Sequence, residues 1–340
     1  MMKPVPRLID PFELDELHLP LPALEYLAEH GGVPVTPASP FGFILSGGPR
    51  CSAAEREIAG QDLVGRGILQ PEGSAASDAI RAGAGAASHY AKALHVLAQP
   101  QIQLRVAVVA PPKEPTRLSL FLRDGWAAAG GVDGETFRVG AAVDANLVPR
   151  LLARHAAGKE PAADLRGIFL WPSQISLLTA IWPGQGKQAH EPVSAAAATT
   201  ALARAGVSGE AAAAALRALS EAGIVGPAGD ELGLQHPFRF WLALIWSGQY
   251  CELVATALTA NNGGEPRQSD SSRRLLFVGP RGRRAHCQRL SGDDLTAALL
   301  TLGADPAPEH REDELVALAF LAEAVTTEMI RGLMRSAEQQ

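Results

Sequence analysis

The stretches of this sequence that could do chemistry are two glycine runs, one His-Cys pair and two arginine-rich hairpins. Gly83-Ala84-Gly85-Ala86-Ala87-Ser88 has half of the glycine spacing that lets a backbone turn approach a pyrophosphate, but it sits inside a helical stretch with no strand before it. Packing is the better reading there. Gly184-Gln185-Gly186-Lys187-Gln188 lacks the upstream Gly and the Ser or Thr of a phosphate-cradling loop. The nine His residues are scattered, with no pair at helical metal spacing. His286 and Cys287 are neighbours on a strand pattern, so their side chains point to opposite faces. No Gly-x-Ser-x-Gly elbow occurs, and the carboxylates of 10–16 and 309–314 read as solvated helix ends. No catalytic residue, metal ligand or cofactor is therefore expected.

Binding chemistry is easier to find. Trp and Arg dominate the energetics of protein interfaces, so hairpin ends that carry them are candidate anchors. Arg123-Asp124-Gly125-Trp126 is one such end, and the strand pair bearing Arg273, Arg274, Arg281, Arg283 and Arg284 is the other. The local positive charge of that strand pair suits an acidic helix end. The plainer reading, a solvated hairpin and a Trp folded into the core, stands beside it for each. A third candidate runs from Thr200 to Val225, two helices and a turn followed by a wing-like Gly226 to Leu234, in the shape of a winged helix. Its second helix offers Glu210, Arg217 and Glu221 around five consecutive alanines, and the wing adds Asp230 and Glu231. A helix entering a DNA groove needs phosphate-neutralising and base-reading side chains, and one Arg is too few. A winged-helix-like packing unit is expected, not a DNA reader.

The elements that must carry these residues follow from periodicity. Asp10-Pro11 opens a short helix and a second starts near Leu21, while Phe41 to Leu45 suggests a short strand. Ser52-Ala53-Ala54-Glu55 is a capping box that starts a helix running to Gly67, and Ser74 to Leu97 forms another. After Pro100 the apolar period falls to two, giving four antiparallel strands between Ile102 and Val143, and Asp144 then caps a helix to His155. In the later part, Ile168 to Pro172 leads into a helix from Gln174 to Trp182, and two Ala-rich helices follow. Pro237 to Trp246 is short and bulky, and strands are expected at Gln249 to Leu258, Arg273 to Val278 and Arg284 to Leu290. The polar stretch Asn261 to Ser272 reads as an exposed loop, and Glu312 to Ser336 as one helix.

This order of parts runs through twice. Leu63-Val64-Gly65-Arg66-Gly67-Ile68-Leu69-Gln70-Pro71-Glu72-Gly73 returns as Leu219-Ser220-Glu221-Ala222-Gly223-Ile224-Val225-Gly226-Pro227-Ala228-Gly229. Each copy ends a helix with a left-handed Gly, and the following apolar pair packs back on it. Gln101 to Val106 answers to Tyr250 to Ala255, and Asp144 to Leu152 to Gly292 to Leu300, at similar spacing. A period of roughly 150 residues is domain-sized, so the chain reads as a duplicated α/β unit. The expected fold is α+β: a pseudo-two-fold duplicated unit with an antiparallel sheet flanked by helices and winged-helix-like helical segments. The expected division is 1–160, first half; 161–305, second half; 306–340, C-terminal helix.

Composition agrees with a packed core, at 340 residues and 47% hydrophobic content. A net charge of −6 gives no global attraction for nucleic acid, and three Cys without paired spacing fit a reducing compartment. The N-terminus lacks the apolar region of a signal peptide, and no run reaches the ~20 apolar residues of a membrane span. A cytoplasmic location without membrane insertion is expected.

A chain of two halves that each run Leu-x-x-x-Gly-Ile-x-x-Pro-x-Gly, with Leu97-Ala98-Gln99-Pro100 leading from a helix into antiparallel strands, resembles the EspG proteins. These are cytosolic chaperones of type VII (ESX) secretion. The resemblance runs roughly from Leu14 to Leu302 and departs at the Ala-rich segment 185–215 and the tail helix. It implies a quasi-two-fold α/β body that binds the end of a PE/PPE substrate heterodimer, with no catalytic residue. The expected function is thus a non-enzymatic chaperone or adaptor for a helical secreted protein. A winged-helix regulator, and an enzyme with residues too dispersed to form a motif, are the two other classes.

Overall fold

The computed structural model describes residues 16–30, 35–36, 38–45, 48–69, 86–133, 136–156, 168–182, 191–236, 238–258, 273–279, 284–290, 315–319, 321 and 323–339. The first half runs β1 (Glu16–Pro20), α1 (Leu21–His30), α2 (Pro40–Leu45), α3 (Ala53–Gly65), α4 (Ala86–Ala98), β2 (Ile102–Ala110), β3 (Lys113–Arg123), β4 (Trp126–Asp133), β5 (Thr136–Gly140), β6 (Val143–Asp144) and α5 (Val148–Ala156). The second runs β7 (Ile168–Leu170), α6 (Pro172–Ile181), α7 (Ala195–Arg204), α8 (Glu210–Glu221), β8 (Val225–Ala228), β9 (Glu231–Leu234), α9 (Phe238–Trp246), β10 (Tyr250–Ala257), β11 (Arg273–Val278), β12 (Ala285–Leu290), β13 (Leu315–Ala319) and α10 (Glu323–Glu338).

The fold is α+β, one large antiparallel sheet flanked by helices. Among the described residues the strand order is β1-β5-β4-β3-β2-β10-β11-β12-β13-β7, with β6 paired to β4 off that line. Read outward from the centre and counting only the strands on that line, the two arms are the same: second, third, fourth and fifth strand in chain order, then the first strand returning to the edge. The central pair is β2 with β10, antiparallel, with Val106 opposite Leu253 and Leu104 opposite Ala255. The stretches that echo each other in sequence, 102–106 and 251–255, are thus hydrogen-bonded to each other at the middle of the sheet.

The repeated helix stop is built the same way both times. Gly67 and Gly223 take φ of 71° and 68°. Ile68 N–H donates to the Leu63 carbonyl at 2.9 Å, and Ile224 N–H to the Leu219 carbonyl at 3.0 Å. Each bond spans six residues and brings the buried Leu before the turn against the buried Ile after it. The predicted capping box is also present: Glu55 N–H donates to Ser52 Oγ, and Ser52 N–H to the Glu55 carboxylate.

Three apolar clusters hold the layers. One face of the sheet, hereafter the open face, carries α1 to α4 over the first arm through Leu17, Leu19, Phe121, Ala128, Phe137 and Val139. The same face carries α6 to α9 over the second arm through Ile168, Leu170, Ala285 and Leu318. On the other face, α5 and α10 cover the centre, burying Leu104, Val106, Leu118, Leu120, Leu253 and Phe277 beneath Leu152, Ile330 and Leu333. That central cluster draws on both halves.

Several local expectations are corrected. Residues 16–20 form a strand paired with β5, not a helix, because Leu17 and Leu19 are buried on one side while His18 and Pro20 face solvent. Pro40–Leu45 is a short helix, not a strand. The tail is not a single helix: Leu315–Ala319 joins the sheet between β12 and β7, and the helix begins at Glu323. Asp144 caps a short 3-10 turn, Ala145–Leu147, that leads into α5. The Asp10-Pro11 helix start, the 74–85 part of the predicted helix, the 261–272 loop and the 292–300 repeat lie outside the described residues.

Candidate functional site

Between the two helical layers, no helix among the described residues packs over the centre of the open face. Its floor follows from register. Ser119 of β3 lies opposite Arg105 of β2, Arg105 opposite Val254 of β10, and Val254 opposite Arg274 of β11. The next row on the same face is Arg117, Ala107, Glu252 and Leu276. All eight side chains are exposed or half-buried, and none belongs to the three apolar clusters. The alternation of strands explains it: the partners one residue along, Leu104, Val106, Leu118 and Leu253, point into the central core.

The strip is cationic in an acidic chain. Arg105 and Arg117 are exposed diagonal neighbours, and among the described residues no carboxylate pairs with either. Arg274, 59% exposed, pairs with Glu252, which is 23% exposed. Three guanidinium groups and one carboxylate thus face the same opening.

The sequence-predicted anchors fare differently. Arg274 stands on the strip. Arg123 is tied down, donating from Nη1 to the Gln99 carbonyl at 2.8 Å and from Nε to Asp124 at 2.9 Å. Trp126 is half-buried against the first-arm core; Lys92 Nζ sits 3.9 Å above its ring and His89 meets it edge-on. Both residues of that hairpin therefore fasten β3 and β4 to α4. Arg284 is 2% exposed and offers no surface. Burial pushes the neighbouring Cys251 thiol up to about 11, with the charge of Arg284 pulling the other way, so the thiol stays protonated and unreactive at neutral pH. The Arg273 backbone pairs with Ala255. Arg281 and Arg283 lie outside the described residues. Arg105 and Arg117 were missed by sequence reading, because they sit twelve positions apart on separate strands and meet only through register.

The winged-helix shape is present: α6, α7 and α8 are followed by the β8-β9 hairpin, and Val193 bridges to Leu232 as a third, single-residue strand. The outward side of α8 is alanine with one arginine between two glutamates: Glu210, Ala211, Ala214, Arg217, Ala218 and Glu221 are exposed. Its buried side, Ala212 and Leu219, packs into the second-arm core. A recess of about 440 Å³ lies beside α10, bordered by Leu275, His286, Gln288 and Met329. Burial holds the His286 imidazole below its usual range, hence neutral at physiological pH. Among the described residues no cluster of His, Cys, Asp or Glu could hold a metal ion, and no helix is long and apolar enough to cross a membrane.

No known protein family matches the chain, and no curated protein does. Among solved structures it is similar to the Mycobacterium tuberculosis type VII secretion system chaperone EspG5 in complex with a PE25–PPE41 dimer. That likeness has 11% sequence identity and a TM-score of 0.42, over 94% of this chain and 95% of the other. At that score it decides nothing about function.

Proposed function

We propose that this chain is a non-enzymatic protein-binding adaptor or chaperone of the cytoplasm, and that its partner sits on the uncovered centre of the sheet. The observation that carries the reading is the strip itself. A sheet packed on both flanks of its open face and at the centre of its reverse face keeps eight central side chains out of every apolar cluster among the described residues, three of them arginines. The sequence resemblance to the EspG chaperones makes a helical secretion substrate our choice of partner. The winged-helix unit serves packing in this reading, since its outward helix lacks the cations a DNA groove requires.

The test is site-specific. A photo-crosslinking residue is placed at Ala107 or Ser119 on the strip, and as a control at Ala203, an exposed position on α7. In native cytosol the strip positions should yield one defined adduct that the control lacks. Equal labelling at all three positions, or none at the strip, would remove the strip from consideration.

A further inference from the structure

We infer that the strip accepts an acidic helix running along the strands, with Asp or Glu one turn apart set against Arg105 and Arg117. This rests on the strip being the partner's seat. The argument is one of charge and spacing. Arg105 and Arg117 are diagonal neighbours on adjacent strands, a relation that places such side chains about 7 Å apart. Helical residues four apart lie at about 6 Å, on one side of the helix. Arg105 and Arg274 flank the intervening Val254, so they stand about two strand spacings, or roughly 10 Å, apart. That separation runs across the strands, so Arg274 borders the helix from one side and takes no part in the spacing along its axis. A helix about 10 Å across spans about two strand spacings of the strip.

Glu252 gives the site a built-in competitor. It neutralises Arg274 when the strip is empty, and an incoming carboxylate must displace it or leave that pair intact. Arg105 and Arg117 have no such internal partner among the described residues and carry the first attraction.

The experiment uses the full chain and a monomeric alanine-based helical peptide of about 20 residues with glutamates at the matched spacing. A second peptide of equal composition spreads its glutamates around the helix. Binding is followed by anisotropy at several salt concentrations. The matched peptide should bind more tightly, with an affinity that falls as salt rises. Arg105→Glu with Arg117→Glu should weaken it about tenfold, and Glu252→Gln should tighten it about threefold. Arg150→Glu with Arg154→Glu makes the same change of net charge on two exposed residues beside α10, on the opposite face, and should leave binding unchanged. Equal loss in both double variants would overturn the inference, as would no loss in either or no preference for the matched peptide. Duplex DNA binding with the same arginine dependence would overturn it too, in favour of a nucleic-acid seat. Failure of these arms alongside adducts at Ala107 and Ser119 would sink the acidic helix alone. Loss of the adducts as well would sink the seat.

Discussion

At the scale of single residues, the most constrained charge is Glu25, buried in α1 with 4% exposure. Its carboxylate accepts the Arg50 N–H at 2.6 Å and the Cys51 N–H at 3.0 Å, and so fixes the approach to the Ser52 cap of α3. Burial alone raises its pKa, but the two backbone donors, the Cys51 thiol and the Arg56 charge outweigh it and hold it below the usual carboxylate range. A depressed carboxylate contributes stability above its unfolded pKa and loses it as pH falls through the folded value. Glu25→Gln should therefore cost about 1–3 kcal/mol at neutral pH. It should also flatten the acid limb of the stability curve, where the depressed carboxylate takes up its proton, as read by urea unfolding at a series of pH values. An unaltered acid limb would show that the carboxylate charge contributes nothing. The Ser52 cap was legible as a four-residue pattern. Its dependence on Glu25 was not, since a partner twenty-six positions away leaves no local trace. Arg105 and Arg117 on the strip were hidden for the same reason.

At the scale of elements, close approach is set by glycine. A Cβ on Gly60 of α3 would lie 2.3 Å from the Tyr26 ring of α1, whereas one on Gly65 of the same helix would meet nothing within 4 Å. Alanine is intrinsically worth about 1 kcal/mol over glycine inside a helix. Gly65→Ala should thus be neutral or stabilising by up to about 1 kcal/mol, while Gly60→Ala should destabilise by about 1–3 kcal/mol through forced separation of α1 and α3. Thermal unfolding of the pair decides it, and equal shifts would mean that Tyr26 simply moves aside. Helices with caps and stops were readable here because their signals are local. The segments misread, 16–20, 40–45 and 315–319, are all short. Leu315–Ala319 is a strand because β12 and β7 flank it, and no propensity within five residues says so.

At the scale of the whole molecule, the two arms share one sheet and one central core. We propose that the halves divide near residue 160, each supplying five strands in the same order to the main path and one helix, α5 or α10, to the reverse face. Those helices meet over β2 and β10, and Arg150 and Arg154 of α5 reach Glu323 of α10. The duplication was legible because the glycine stops and the central strands keep their order. The helix equivalent to α5 was not, because α10 begins 175 residues after α5, at 323 against 148, well past the repeat spacing. This arrangement makes a specific demand on unfolding. Ile330, fully buried, packs with Leu104 and Leu120 of the first half and Leu253 and Phe277 of the second in one cluster. Ile330→Ala should remove about 2–5 kcal/mol by leaving a cavity there. Because the cavity touches strands of both arms, tryptophan fluorescence from the first half, where Trp126 sits, and from the second, where Trp241 is buried, should shift to lower denaturant together. Single-tryptophan versions of the chain separate the two signals. If only the second-half probe moved, the halves would fold as independent units and the shared core would be an abutment between them.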